Sequence, residues 1–243
     1  MRNRRLRKRP TAPNVTIGLM TPGQIVFSLR QASAGYAGRP VLTDIDLEIR
    51  AGERVALMGR SGAGKSTLIG LLHAQRPNDI ALVPQAAALV RPLSVFHNVY
   101  MGRLDRHSTL HNLRTLVSPA RSDICEIEAV LSRVGLADKI FASAGSLSGG
   151  QQQRNSVARA LYNGRPVLLG DEAVSALDSV QAAEILCTLR HAHETLVLAL
   201  HDVYLALAHA DRIVVLDRGC KIIDAPSASL QPADLLQHFG SAR

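Results

Sequence analysis

The sequence predicts an α/β domain with a largely parallel sheet. Short apolar runs, which are typical of buried strands, alternate along the chain with stretches of helical periodicity. A glycine-rich loop joins one of these runs to a helix, and acidic or histidine residues directly follow two others. Since the carboxyl ends of parallel strands meet at one edge of a sheet, we expect these residues to lie close together there.

The glycine-rich loop, residues 59–67 (GRSGAGKST), matches the phosphate-loop pattern G-x-x-x-x-G-K-[ST]. An apolar run at 54–58 predicts a strand entering the loop, and residues 66–74 predict a helix leaving it. Backbone N–H groups and the positive end of the helix dipole would attract phosphate. Lys65 would reach the β- and γ-phosphates, and the Ser66 hydroxyl would take one position on Mg²⁺. A glycine turn that happens to precede a lysine is the alternative, and it leaves both flanking elements unexplained. The predicted phosphate-binding residues are Gly59, Arg60, Ser61, Gly62, Ala63, Gly64, Lys65, Ser66 and Thr67.

The chain after this helix predicts one short strand and then a helical region. Residues 79–84 (DIALVP) predict the strand. Amphipathic stretches at 94–102 and 123–134 predict helices within an insertion that covers residues 92–147. Between them, residues 105–120 are polar and carry histidine and arginine, so we expect an irregular connection there.

A second glycine-containing stretch, residues 147–154 (LSGGQQQR), predicts a capped helix N-terminus. Ser148 suits the N-cap, and Gln151 three residues later can complete a capping box. Gly149 and Gly150 let the backbone approach an anion closely, so this helix end offers a second position for phosphate. Taken alone, the stretch leaves an ordinary capped helix as an equal alternative.

Acidic and histidine residues follow two later apolar runs. The run at 166–170 ends in Asp171 and Glu172, and the run at 195–200 ends in His201. Asp171 is predicted to help hold Mg²⁺, which prefers oxygen ligands. Glu172 is the candidate general base for an attacking water. For His201 a polarising role beside the phosphates is predicted, although a lone histidine is more often structural.

The chain of 243 residues is long enough to bury a sizeable core. Apolar runs at 212–217 and 220–224, joined by a turn, predict a last pair of strands. We predict a single domain over residues 25–243, preceded by a basic extension, residues 1–24, that we expect to be disordered.

The net charge of +8 comes mainly from the basic extension. A solvated tail, or a start site placed too early, is one interpretation, and attraction to an anionic membrane leaflet is a second. Nucleic-acid binding is the least favoured, since no aromatic residue is interleaved with the basic ones, and we expect no nucleic-acid partner. The basic residues of this segment are Arg2, Arg4, Arg5, Arg7, Lys8 and Arg9.

The sequence also predicts no membrane span and no secretion signal. Its apolar stretches are interrupted well short of the roughly 20 residues that a spanning helix needs. The basic start is not followed by an apolar segment of the kind found in signal peptides. Cys125, Cys187 and Cys220 lack metal-ligand spacing and are expected to be reduced thiols.

Taken together and in this order, the motifs resemble those of ATP-binding-cassette (ABC) ATPases, from about residue 25 to residue 224. The resemblance implies the P-loop NTPase core of the ABC ATPase type, with a helical insertion and a shortened antiparallel β region. It implies that Tyr36 stacks on adenine and that Gln85, in the stretch LVPQ, senses Mg²⁺ and the γ-phosphate. It also makes residues 147–154 the family signature. Asp171 and Glu172 then correspond to Walker B, Asp178 to the D-loop aspartate that couples two sites, and His201 to the switch histidine.

Two departures from the family pattern stand out. The segment between Lys65 and Gln85 is short where family members usually carry antiparallel strands, which would leave a sheet edge unpaired. Ala173 stands where the family usually has proline after the glutamate, a modest loss of backbone restraint. A weakly active or degenerate ATPase is therefore an alternative.

The resemblance also implies partners. Two copies would pair head to tail with two ATP molecules at their interface, so that Ser148, Gly149, Gly150 and Gln151 meet a nucleotide held by the other copy. Mg²⁺ would accompany each ATP and be held by Ser66, Gln85 and Asp171. Integral membrane permease subunits, together with a periplasmic or extracellular solute-binding protein, would complete an importer. The chain would then lie peripherally on the cytoplasmic face of the inner membrane.

The transported substrate is indicated only by one variable segment. Residues 89–104 and 108–117 are similar to the corresponding stretch of phosphonate-importer ATPases. This favours uptake of phosphonate or a related phosphorus oxyanion. The alternatives are an exporter subunit, an importer of another solute, and a soluble ABC protein not tied to transport. The last usually carries a long coiled-coil insertion or a second cassette, and this sequence has neither.

Overall fold

The computed structural model describes residues 21, 23–36 and 39–239. Most of the predicted basic extension, residues 1–24, lies outside the described residues. The strands are β1 (Ile25–Tyr36), β2 (Arg39–Arg50), β3 (Arg54–Met58), β4 (Ile80–Val83), β5 (Val167–Asp171), β6 (Thr195–Ala199), β7 (Arg212–Asp217) and β8 (Cys220–Pro226). The α-helices are α1 (Lys65–Gln75), α2 (Val95–Tyr100), α3 (Thr109–Val117), α4 (Arg121–Ser132), α5 (Gly149–Asn163), α6 (Ser179–Ala192), α7 (Val203–His209) and α8 (Pro232–Phe239).

The predicted parallel sheet is confirmed. It has six strands in the order β4-β5-β6-β3-β7-β8, and only β8 runs antiparallel to its neighbour. Val55 of β3 lies opposite Val197 of β6 and Arg212 of β7, which makes β3 a central strand. The carboxyl ends of β3, β5 and β6 therefore share one edge, as the sequence predicts.

Burial explains why these segments form strands. Every residue of β5 (VLLGD) and β6 (TLVLA) is buried, which fits strands covered on both faces. Strands β1 and β2 instead form a separate antiparallel pair. Phe27, Leu42 and Ile49 from this pair are buried against α1 and one face of the main sheet. Each such side chain contributes about 1.5–3 kcal/mol of hydrophobic stabilisation on burial.

Helix α5 packs against β4 on the other side of the sheet, and helices α2 and α4 pack on α5. Val95 and Phe96 of α2, Ile127 of α4 and Val157 of α5 are fully buried in one cluster with residues of the sheet. Among the described strands, β4 lies at the edge of the sheet and pairs only with β5, so the short segment between Lys65 and Gln85 leaves one side of β4 unpaired.

In the described part of the chain, no helix has both the length and the apolarity needed to cross a bilayer.

The expectation of an irregular connection at 105–120 was wrong. A 3₁₀ turn at Met101–Arg106 leads into α3, whose N-cap Ser108 accepts a hydrogen bond from the backbone N–H of His111 at 3.3 Å. The helix escapes prediction because its leucines point outward. Leu110 and Val117 are 78% and 84% exposed, while Thr115 is buried.

The histidine that follows α6, His193, predicts a measurable pH dependence of stability. It is buried, and its Nδ1 lies 2.7 Å from the carbonyl oxygen of Arg165. Burial lowers the pKa of His193 to about 4, against the opposing effect of the Arg165 hydrogen bond and with a small contribution from Arg133. In the unfolded chain His193 protonates near pH 6.5, whereas in the folded chain it protonates only near pH 4. The free energy of unfolding therefore has its full value above pH 6.5 and falls between pH 6.5 and 4.

From pH 7.5 to 5 this group alone is expected to remove about 2 kcal/mol of unfolding free energy. Urea unfolding of the full chain at both pH values measures the change. A His193→Asn variant is the control, since its amide N–H can still donate to the Arg165 carbonyl oxygen but does not titrate. Equal pH dependence in the variant and the parent would contradict the assignment to His193.

Candidate functional site

The loop between β3 and α1 has a backbone that only glycine adopts easily. Gly59, Gly62 and Gly64 have φ angles of 144°, 79° and 105°. A Cβ on Gly59 would lie 2.2 Å from the carbonyl oxygen of Leu216, and one on Gly64 would lie 2.5 Å from a methyl of Leu42. The fold therefore requires two of the pattern's glycines for close packing as well as for their backbone angles.

Lys65, the first residue of α1, is buried within the loop. Its Nζ donates hydrogen bonds to the carbonyl oxygens of Gly59 at 2.7 Å and Arg60 at 3.1 Å. Burial lowers the pKa of Lys65, whereas the carboxylates of Glu172 and Asp171 act to raise it. The loop thus surrounds a lysine that faces the two acids at the end of β5.

A cavity of about 170 Å³ lies over this loop. Gln85 follows β4 and Glu172 follows β5, and the side walls include both. The structure therefore brings Glu172 to the phosphate loop at one edge of the sheet, as predicted, and places Gln85 beside them. The lining residues are Val41, Ser61, Gly62, Gly64, Lys65, Ser66, Thr67, Gln85 and Glu172.

Glu172 and His201 contact each other directly. The Nε2 of His201 lies 2.6 Å from a carboxylate oxygen of Glu172. Because an ionised carboxylate only accepts, the Nε2–H of His201 is the donor in this pair. Glu172 has a φ of 56°, a left-handed conformation that costs a non-glycine residue about 1–3 kcal/mol. Strain of this size at a cavity wall is a common feature of functional turns.

Asp171 is the last residue of β5 and is buried. Its Oδ1 is a buried atom without a hydrogen-bond partner. Buried carboxylate oxygens are normally paired, so this atom suits a cation ligand. Ser66 supplies a hydroxyl and Gln85 a side-chain carbonyl to the neighbouring cavity wall, and the set is oxygen-rich, as Mg²⁺ requires.

The capping box at the start of α5 is confirmed. The Ser148 hydroxyl accepts a hydrogen bond from the backbone N–H of Gln151 at 3.3 Å, and the Gln151 side chain accepts one from the backbone N–H of Ser148 at 3.0 Å. Ser148 and Gly149 are exposed. None of Ser148, Gly149, Gly150 and Gln151 lines the cavity over the loop.

Two further predicted residues also lie away from the cavity wall. Asp178 is the N-cap of α6 and accepts from the backbone N–H of Gln181 at 2.9 Å. Tyr36 ends β1 and is 68% exposed, in the antiparallel pair whose second strand carries the cavity residue Val41. Within one chain, the start of α5, Asp178 and Tyr36 therefore do not line the cavity over the loop.

Sequence reasoning missed two residues of α5 that hold the cavity loops. Arg159 donates to the carbonyl oxygens of Ala87 at 3.2 Å and Ala88 at 3.0 Å, just after Gln85. Gln153 is buried and bonds to the turn that begins at Glu172. A signal for Gln153 was present, because it occupies the apolar stripe formed by Val157, Ala160 and Leu161.

Comparison with known proteins agrees with this geometry. Residues 42–175 match a family described as ABC transporter. A phosphonates import ATP-binding protein PhnC of Pseudomonas entomophila is 39% identical over 85% of this chain and 89% of the relative. One of Anaeromyxobacter dehalogenans is 38% identical over 89% of this chain, which spans about half (49%) of that relative.

A solved structure shares the fold. A dimeric bacterial ABC transporter cassette superposes with a TM-score of 0.73, at 24% identity, covering 82% of this chain and 98% of the cassette. Together with the phosphate loop, the capped signature helix and the acid pair at the end of β5, these matches identify the family. The chain belongs to the ABC transporter family.

Proposed function

We propose that this chain is the ATP-hydrolysing subunit of an ABC importer that takes up phosphonate or a related phosphorus oxyanion through a separate membrane permease. The observation that carries the proposal is the cavity that joins the phosphate loop to Gln85 and to the His201-bonded Glu172. Relatives named as phosphonates import ATP-binding proteins support the choice of cargo.

The nucleotide would bind with its phosphates in the loop of residues 59–67. Lys65 would exchange its bonds to the Gly59 and Arg60 carbonyl oxygens for phosphate oxygens, a charge-assisted contact. Backbone N–H groups at the start of α1 would face the same phosphates. The exposed ring of Tyr36 is free to stack on adenine.

Ser66, Gln85 and Asp171 are the residues proposed to hold Mg²⁺. The unpartnered Oδ1 of Asp171 is the observation that favours this. When bound, the ion would neutralise charge on the transferred phosphoryl group.

Glu172 would accept a proton from the attacking water. His201 donates to the same carboxylate and would thereby fix its orientation, and Gln85 lines the same cavity. The left-handed backbone at Glu172 is proposed to set the position of its side chain at the cavity wall.

The start of α5 and Asp178 are proposed to act on a nucleotide held by a second copy. Ser148, Gly149, Gly150 and Gln151 form a capped helix N-terminus, which attracts phosphate, yet they do not line the cavity of their own chain. A head-to-tail homodimer would bring them to the partner's ATP, with Asp178 between the two sites. The cassette that shares this fold is itself a dimer.

An apolar surface supports a membrane partner. Helix α3 turns its polar side inward, where the Asn112 side chain bonds to Tyr100, and leaves Leu110, Leu113 and Val117 exposed. Apolar patches on a helix face of this kind mark contacts with other proteins. We propose a permease subunit as the partner that covers this surface, which would place the chain peripherally at the cytoplasmic face of the membrane.

An extracellular or periplasmic solute-binding protein would deliver the cargo. Residues 25–243 would act as one domain, with 92–147 as its helical insertion.

Disruption of the gene tests the cargo. In a strain without other phosphonate uptake systems, we expect loss of growth on phosphonate as sole phosphorus source, with normal growth on inorganic phosphate. The wild-type gene should restore growth and a Glu172→Gln gene should not. Unimpaired growth of the disrupted strain would contradict phosphonate import, and a defect on a different solute would favour the alternative importer.

A further inference from the structure

The side chain of Gln153 uses both ends of its amide inside the protein. Gln153 lies on the second turn of α5 and is 8% exposed. Its Nε2 donates to the carbonyl oxygen of Glu172 at 2.5 Å and to the Ser175 hydroxyl at 3.2 Å. Its Oε1 accepts from the backbone N–H of Ala176 at 2.8 Å. The amide therefore spans the whole turn that follows β5.

This turn is the one whose backbone is strained. Glu172 has a φ of 56°, so its carbonyl oxygen needs partners that hold it in the left-handed conformation. The backbone N–H and the hydroxyl of Ser175 also donate to that oxygen, at 3.2 and 3.1 Å. Gln153 is the partner that comes from outside the turn.

The same turn packs against the start of α5. A Cβ on Gly150 would lie 3.1 Å from the carbonyl oxygen of Ala176 and 3.2 Å from a methyl of Leu177. Gly150 is thus close to the turn, and Gln153, one helical turn later on the same face of α5, bonds to it. Helix α5 and the Glu172 turn form one connected unit.

We propose that Gln153 is a positioning residue that holds the turn of residues 172–176 against helix α5. The inference rests on the proposed ATPase function and extends it. The start of α5 responds to nucleotide on the partner copy, and Gln153 transmits its position to the carboxylate that acts on this chain's own nucleotide. Gln153 itself touches neither nucleotide.

A Gln153→Met variant tests the proposal, because methionine matches the length of glutamine without its polar atoms. In the full-length chain, we expect kcat for MgATP hydrolysis to fall about 10–100-fold, as for other small misplacements of a reacting group. The dissociation constant for MgATP should change less than about threefold, since the phosphate loop is untouched. Gln237→Met, the same change on the exposed surface of α8, is the control and should leave both values unchanged.

Amide hydrogen exchange gives a readout that does not depend on catalysis. Loss of the Gln153 acceptor should speed exchange of the Ala176 N–H by at least about tenfold, whether or not ATP is present. A Ser175→Ala variant removes the other side-chain donor to the Glu172 carbonyl oxygen, and its effect on kcat should be non-additive with that of Gln153→Met.

Unchanged Ala176 exchange would overturn the link, and faster exchange with unchanged kcat would overturn the positioning role. If Gln153→Met does not fold, Gln153→Ala, which also removes the side-chain amide, replaces it in the same two measurements. Failure of the wild-type chain to hydrolyse ATP would instead overturn the proposed function, and with it the role given to Gln153, while the exchange data would still report the contact.

Discussion

Replacing Glu172 by glutamine is expected to lower the rate of MgATP hydrolysis by about 10²–10⁴-fold. Glutamine keeps the size of the side chain and a polar contact to His201 but does not accept a proton from water. ATP binding should persist, because the loop around Lys65 is unchanged. Steady-state phosphate release and nucleotide binding, both measured on the purified variant, separate the two effects.

Glu194→Gln is the matched control for this experiment. Glu194 is exposed and lies just before β6, whereas His201, which contacts Glu172, lies just after β6. Glu194 is therefore at the opposite end of the strand from the Glu172 site. The control should hydrolyse ATP like the parent. Retention of full turnover by Glu172→Gln would remove Glu172 from the role of base.

Replacing Lys65 by methionine is expected to weaken MgATP binding by about 10–100-fold, the equivalent of one charge-assisted hydrogen bond. The ammonium group lies within the loop and is the buried cation of the cavity wall. Its loss removes both the charge and the donors that are proposed to bind the phosphates. Equilibrium binding of ATP, measured with Mg²⁺ present, gives the change directly.

The Lys65 variant needs a check on folding, since Nζ also bonds to the carbonyl oxygens of Gly59 and Arg60. Lys139→Met provides the comparison, because Lys139 is a surface residue whose ion pair with Asp138 contributes little. A folded Lys65→Met chain that binds ATP as tightly as the parent would show that the phosphates lie elsewhere.

The strands were predictable because their burial is extreme. Runs such as VLLGD and TLVLA are covered on both faces, so their continuous apolar character is visible without a partner. Parallel order then places the residues after them at one edge. For this reason the structure brings Glu172 together with His201 and with the phosphate loop at the carboxyl edge of the sheet, as predicted.

Helix α3 was not predictable on the same grounds. Its buried side is polar, with Asn112 bonded to Tyr100 and Thr115 enclosed, and its leucines are exposed. A periodicity argument assumes that the apolar face is the buried one, and here the assumption fails. An external partner for α3 would restore the usual rule.

The role of Gln153 was also beyond sequence reasoning. Its place on the apolar stripe of α5 was visible, but its three partners come from a turn about twenty residues later in the chain, whose course depends on the left-handed Glu172. Long-range hydrogen bonds to a strained backbone produce no periodic pattern in the sequence. Likewise, the separation of Ser148 from the cavity follows only from the tertiary structure.

Calorimetric titration of the folded chain with ATP in the presence of Mg²⁺ tests the central claim most directly. The account predicts saturable binding of one ATP per chain, carried by the loop that holds Lys65. A chain that gives the circular dichroism of a folded α/β protein and yet shows no heat of ATP binding would contradict it.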